Sequence, residues 1–364
     1  MFNWYKKEKP LQGMVGYGGG ATGLRNAGLL GTPFDTEWLV VAGGGGGANG
    51  FGYGAGGGGA GGYRSSYPEG PGGPGGPGSP EAAHAVRTAT EYPVAVGAGG
   101  APQPTIGYGT NGGDSNFDTL VAAGGGGGSI GQGQGAYPGG CGGGAGANYV
   151  GSIGGEGSKY SPTSPLGPNQ PAPNQGYDGG QGAWQPAGVN PPSGGYGVGM
   201  DGGGGGGGGG LGQEGRYDSP TTTPTHGAGA GGVGRTSTIT GSSVNYVGGG
   251  SGGVAANVPL GESAPSAGLP FGGGRGASPT EPNNDHGTNA TANTGGGGGG
   301  GANFGGDGTG GDGGSGIVVL RYPNAFTLTA APTHVTPQIN SAQPGSTRVT
   351  TFTAGSGNIT WAED

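Results

Sequence analysis

The chain holds a single cysteine, Cys141, and only four lysines, Lys6, Lys7, Lys9 and Lys159. One cysteine rules out an internal disulfide framework. Charged residues make up 9% of the sequence, for a net charge of −8. Beyond Lys6 to Lys9 there is no basic patch, which argues against a nucleic-acid partner. No apolar stretch approaches the roughly 18 residues of a membrane span, so no membrane insertion is expected. The segment behind the N-terminal lysines lacks the apolar h-region of a secretory signal. Leu, Ile, Val and Phe together number about 46, roughly 13% of 364 residues. An ordinary hydrophobic core becomes doubtful below about 20%, and an enzyme fold of this size needs more than one such core. No stretch carries a useful helical period.

What the chain does have is 110 glycines and 30 prolines. Each glycine brings one backbone donor and one acceptor with no side chain in the way, but it also costs the most backbone entropy to order. Side-chain burial cannot offset that cost here, so the backbone itself has to. A polyproline-II-type helix has three residues per turn and no internal hydrogen bonds. Its N–H and C=O groups point outward on three sides. Where nearly every residue is Gly, several such rods can pack side by side and bond to one another, as a polyglycine II lattice. Proline fits the same φ. Collagen is the competing architecture, but only residues 70–78 keep Gly at every third position. The expected fold is therefore mainly irregular and all-β-like: packed polyglycine II helices, short strands and almost no α-helix.

Three zones follow. Residues 1–35 are aromatic and basic at first, then punctuated by Gly. Residues 36–322 form a glycine-rich body, and 323–364 a Thr- and Pro-rich β element. Within the body a short apolar strand repeatedly runs into a Gly tract. Residues 38–42 lead into 43–47, 120–123 into 124–128, 244–247 into 248–250, and 291–294 into 295–301; a further tract covers 202–210. Units of this kind stabilise one another by stacking. Between them lie expected loops at 156–201 and 276–293, and one containing Arg216, Tyr217 and His226. Residues 317–322 read as the clearest strand. Residues 348–353 and 358–361 flank Gly355-Ser356-Gly357 and read as a C-terminal β-hairpin.

At these residues the sequence resembles the glycine-rich domain of tailed-phage tail fibre, adhesin and appendage proteins, and the entry segment at 6–12 and 18–22 looks like the openings of marine and cyanobacterial phage (cyanophage) proteins. Trp38-Leu39-Val40-Val41-Ala42 with its Gly tract carries the resemblance, as do residues 56–64, 240–244 and 291–301. The ending at 314–322 is its most specific part. The architecture is similar to polyglycine II tail-fibre adhesins, in which loops at one end of the rods contact the host. The resemblance implies a structural virion protein, attached through residues 1–35 and presenting loops to a host saccharide or protein; such fibres are often homotrimers. A decoration, neck or head-fibre protein without receptor binding is the alternative, and a secreted matrix protein a weaker one.

Tyr177, Trp184, Tyr196 and Tyr217 are the candidate receptor contacts, because aromatic side chains combine an apolar face with a polar tip. Covering the rods is the plainer role for the same residues. Trp38 and Tyr322, on strands, are read as packing. Phe2, Trp4, Tyr5, Lys6, Lys7 and Lys9 are the candidate virion anchor. No cofactor is expected. Gly-x-Gly-x-x-Gly is background in so glycine-rich a chain, and no strand and helix flank it as nucleotide binding requires. Asp307 and Asp312 lie in a Gly/Asp run resembling one imperfect copy of a calcium-binding repeat, and are read as a solvated turn. His84, His226, His286 and His334 lack metal-ligand spacing and are read as loop residues. Cys141 is read as a small residue between glycines.

Overall fold

The computed structural model describes residues 31–50, 53–68, 81–103, 107–130, 135–147, 152–157, 175–183, 201–216, 227–254, 269–278, 286–302, 308–330, 335–343 and 346–364. Its strands are β1 (Pro33–Val41), β2 (Tyr63–Ser65), β3 (His84–Arg87), β4 (Tyr92–Ala95), β5 (Ser115–Phe117), β6 (Leu120–Ala122), β7 (Arg235–Ser237), β8 (Val244–Tyr246), β9 (Ile317–Pro323), β10 (Phe326–Ala330), β11 (Val335–Gln343) and β12 (Thr347–Glu363). A single 3₁₀ turn, Leu269–Phe271, is the only helical element among the described residues. The mainly β, irregular fold expected from composition is what the chain adopts.

Ten strands form one antiparallel sheet in the order β2-β1-β9-β12-β4-β5-β6, with β3 on β1 and both β10 and β11 on β12. β7 and β8 pair separately. The continuous apolar runs of β1 and β9 are explained by burial on both faces. Trp38, Val40, Val318, Leu320 and Tyr322 point into a cluster with Tyr92, Phe117, Phe352 and Trp361. Leu39, Val41, Ile317 and Val319 point the other way, onto Ala60, Tyr63, Cys141, Ile239 and Tyr246. Among the described residues, most large apolar side chains are thus concentrated at the sheet. Trp38 and Tyr322 pack there, as expected.

Beyond the sheet the strands run straight into glycine rods, and the rods bond sideways with a period of three. Residues 54–62 show the pattern in full. The N–H groups of Ala55, Gly58 and Gly61 donate to the carbonyls of Gly301, Gly298 and Gly295 at 2.8–3.0 Å. Those of Gly56, Gly59 and Gly62 donate to Ser129, Gly126 and Ala123, while Gly57 and Ala60 donate to Gly203 and Gly206. The carbonyls repeat the rule. Gly54, Gly57 and Ala60 accept from Ala147, Gly144 and Cys141; Ala55 and Gly58 accept from Gly253 and Gly250; Gly56, Gly59 and Gly62 accept from Ala48, Gly45 and Ala42. Six rods therefore surround this one, the hexagonal packing that three residues per turn dictates. Residues 202–208 form a second such centre, donating in turn to 253, 250 and 247, to 145 and 142, and to 213 and 210. The lattice is a hydrogen-bonded core in which buried backbone groups are paired, as burial requires.

Some sequence expectations need correction. A C-terminal hairpin exists, but it joins β11 to β12, with Gln343 opposite Thr347. Residues 355–357 are not its turn. They lie inside β12, where Gly355 adopts φ of 84°; the strand passes there from β9 and β11 to β4 and β10. Residues 291–294 are not a strand: 292–295 form a turn with Asn293 at φ of 61°. The expected loop at 156–201 contains a rod at 175–183, and that at 276–293 contains rod residues, since Thr288 N–H donates to Arg275 O and Ala290 N–H to Asp312 O.

Candidate functional site

The hydrogen-bond register gives the bundle two unlike ends. β1, β6 and β8 run into rods at 42–50, 123–129 and 247–254, while β2 and β9 emerge from rods at 54–62 and 308–316. All five rods thus have the strands at the same end. At the opposite end, Gly50 N–H donates to Gly308 O at 2.8 Å, Ala147 N–H to Gly54 O at 3.0 Å, and Ala183 N–H to Asp201 O at 2.9 Å. Arg216 N–H donates to Gly227 O there, and Gly227 N–H to the Asp201 carboxylate. The residues flanking segments 184–200, 217–226, 279–285 and 303–307 therefore gather at the end away from the sheet. Rods alternating in direction return the chain to this end again and again.

Of the candidate contacts, Tyr177 is placed on a rod rather than in a loop. Its N–H donates to Gly207 O and its carbonyl accepts from Gly142, and the residue is half-buried toward the sheet end. The glycines of this rod are interrupted by Tyr177, Asp178 and Gln181, so no unbroken tract marks it, which is why it reads as a loop. Trp184, Tyr196 and Tyr217 lie outside the described residues, in segments whose flanks are at the far end. Phe2, Trp4, Tyr5, Lys6, Lys7 and Lys9 are also outside the described residues, as are Asp307, His226 and His334. Asp312 is exposed on the 308–316 rod, accepting from Ala290 N–H through its carbonyl, and so is not in a turn. Among the described residues, no three His, Cys, Asp or Glu side chains lie together as metal ligands.

His84 is not a loop residue: it sits on β3, with Nε2 2.9 Å from the Asp118 carboxylate and its ring edge-on to Phe117. His286 is exposed, with Nδ1 2.8 Å from the Thr309 hydroxyl. Cys141 is fully buried between glycines, as its neighbours imply, and its Sγ approaches Gly61 O at 3.7 Å. Burial pushes this thiol up to about 12, against a smaller lowering by the Tyr177 backbone and Arg235. The thiol is the nucleophile only as thiolate, so Cys141 is inert at neutral pH.

Composition gave no sign of one further feature. A cleft of about 430 Å³ is lined by Gln103, Gly107, Tyr108, Gly109, Thr110, Asn111 and Tyr137. The two tyrosine rings meet at 5.4 Å between centroids and 54° between planes. Tyr137 is 45% exposed, and the neighbouring segment 152–157 carries Ile153, 68% exposed, whose carbonyl accepts from Ala136 N–H. Spacing could not reveal this pair, because two separate rods bring the rings together.

Residues 31–323 match the family described as a glycine-rich domain. The chain belongs to the glycine-rich domain family. The match takes in every rod among the described residues and ends with β9, so β10, β11 and β12 lie beyond it. It speaks of a glycine-rich domain and carries nothing specific to phage appendages. No curated protein and no solved structure matches the chain.

Proposed function

We propose that this glycine-rich domain protein is a non-enzymatic structural component of a phage particle, a tail fibre or adhesin that holds loops against the host surface. One observation carries the reading: the sheet lies at one end of the rods, and the flanks of four sizeable segments gather at the other. A lattice of backbone hydrogen bonds is stiff and indifferent to what the segments between rods contain, because it asks for glycine only inside the rods. Such a scaffold suits a surface whose contact residues vary, since binding residues sit on loops positioned by a rigid frame. Trp184, Tyr196 and Tyr217 belong to those segments and are the proposed contacts. Phe2, Trp4, Tyr5 and the adjoining lysines are the proposed attachment to the particle.

Immunogold electron microscopy of intact particles, with an antibody raised against residues 184–200, tests this directly. Label at fibre or tail tips is the expected result. Label over the head or neck would move the protein to a decoration role. Particles free of label would overturn the virion assignment altogether.

A further inference from the structure

We propose that the cleft lined by Tyr108 and Tyr137 is a binding site for an uncharged saccharide. This goes beyond the appendage reading and does not depend on it, since none of the proposed loop contacts lines the cleft. Among the described residues no charged side chain lines the cleft, so a charged ligand would find no counter-ion among them. Thr110 and Asn111 are already committed to the lattice. The Thr110 hydroxyl accepts from Ala101 N–H and donates to Ala101 O, at 2.8 and 3.1 Å. Asn111 Oδ1 accepts from Gly127 N–H at 2.9 Å, and its Nδ2 donates to Pro138 O at 3.3 Å. These bonds tie the walls of the cleft to three rods and set its shape before any ligand arrives.

Three groups remain for a ligand. Among the described residues, the Tyr108 hydroxyl, the Tyr137 hydroxyl and the Gln103 side-chain amide form no hydrogen bond. Together they offer two hydroxyls, each donor and acceptor, and an amide with both functions. Burial first, and then the nearby Tyr137 phenol, raises the Tyr108 pKa above its ordinary value, so its hydroxyl stays protonated and able to donate. The tilted ring pair supplies an apolar face. A sugar ring presents the same mixture, with C–H groups on its faces and hydroxyls around its edge. Ligand sites combine apolar surface with a few placed polar groups in this way.

The test uses the purified full chain on an array of neutral and acidic glycans, followed by titration of the best-retained glycan in solution. A neutral glycan should bind, and Tyr137→Ala should weaken it by about tenfold or more, as loss of a central aromatic contact does. Tyr108→Phe and Tyr137→Phe should each lose a smaller factor, since the ring stays and only the hydroxyl goes. Because Tyr137 is half in solvent, its Ala variant should melt with the wild type, which separates lost binding from lost fold. Retention of acidic glycans alone, no retention of any glycan, or wild-type affinity in Tyr137→Ala would each refute the site. Particle location plays no part in this readout, so its failure leaves the appendage reading untouched, and the converse.

Discussion

Gly58→Ala is expected to cost more than about 4 kcal/mol, well outside the range of ordinary point substitutions. A Cβ at Gly58 would lie 2.1 Å from the carbonyl oxygen of Gly45 and 2.7 Å from its carbon. Those atoms are backbone, so no side chain can swing aside. To make room, the 42–48 rod has to move, and Gly45 bonds in both directions, to Gly59 O at 2.8 Å and from Gly298 N–H at 2.9 Å. Each buried group left unpaired adds roughly 1–3 kcal/mol, on top of the overpacking itself, which is about 1–3 kcal/mol. Gly227→Ala is the matched control. A Cβ there would meet nothing within 4 Å among the described residues, and its N–H bond to Asp201 is kept, so stability should stay within about 0.5 kcal/mol of wild type. Chemical denaturation of the two variants side by side reads both effects. If Gly58→Ala proved as mild as Gly227→Ala, the close packing of the rods would be wrong.

The second large effect belongs to the sheet. Trp361 is 2% exposed and its ring meets those of Tyr92, Phe34, Tyr322 and Phe117 at 5.5, 5.6, 6.0 and 6.3 Å, all edge-on. It comes from β12, the strand that joins β9 to β4. Trp361→Ala should therefore destabilise by about 3–5 kcal/mol, seen as a lower denaturant midpoint. Trp361→Phe should cost less, because Trp361 Nε1 is buried without a hydrogen-bond partner among the described residues and Phe removes that group. A near-neutral Trp361→Ala would mean that the last strand is an appendage to the fold, not part of its core.

The parts of this architecture that composition controls could be read from the sequence, and the parts that pairing controls could not. Too few aliphatic residues and too many glycines pointed to a hydrogen-bonded core, and the tracts at 43–47, 124–128 and 295–301 lie in rods, while that at 202–210 forms a rod and then bends at 208–210. Rods at the lattice edge were harder to see. Only a residue facing a neighbouring rod has to be Gly, so Tyr177, Asp178, Thr288 and Asn289 can occupy rods whose outer side meets solvent. For that reason 175–183 and part of 276–293 read as loops. The C-terminal turn differs from its local signal for another reason. Gly355-Ser356-Gly357 looks like a hairpin turn when read locally, yet β4 and β9 offer partners on either side of it. With those partners, Gly355 serves as a bend within one long strand. The Tyr108–Tyr137 cleft was hidden by the same kind of non-local contact.

Amide hydrogen exchange, resolved along residues 55–62, is the most direct test of the claim that glycine rods replace a hydrophobic core. Every N–H in this stretch donates to one of three neighbouring rods. Groups that open only with the whole structure exchange at its global unfolding rate. The lattice predicts protection across 55–62 as strong as in β1 and β9. Free exchange along 55–62 while β1 and β9 stay protected would show that the sheet stands alone and that the rods are not held by one another.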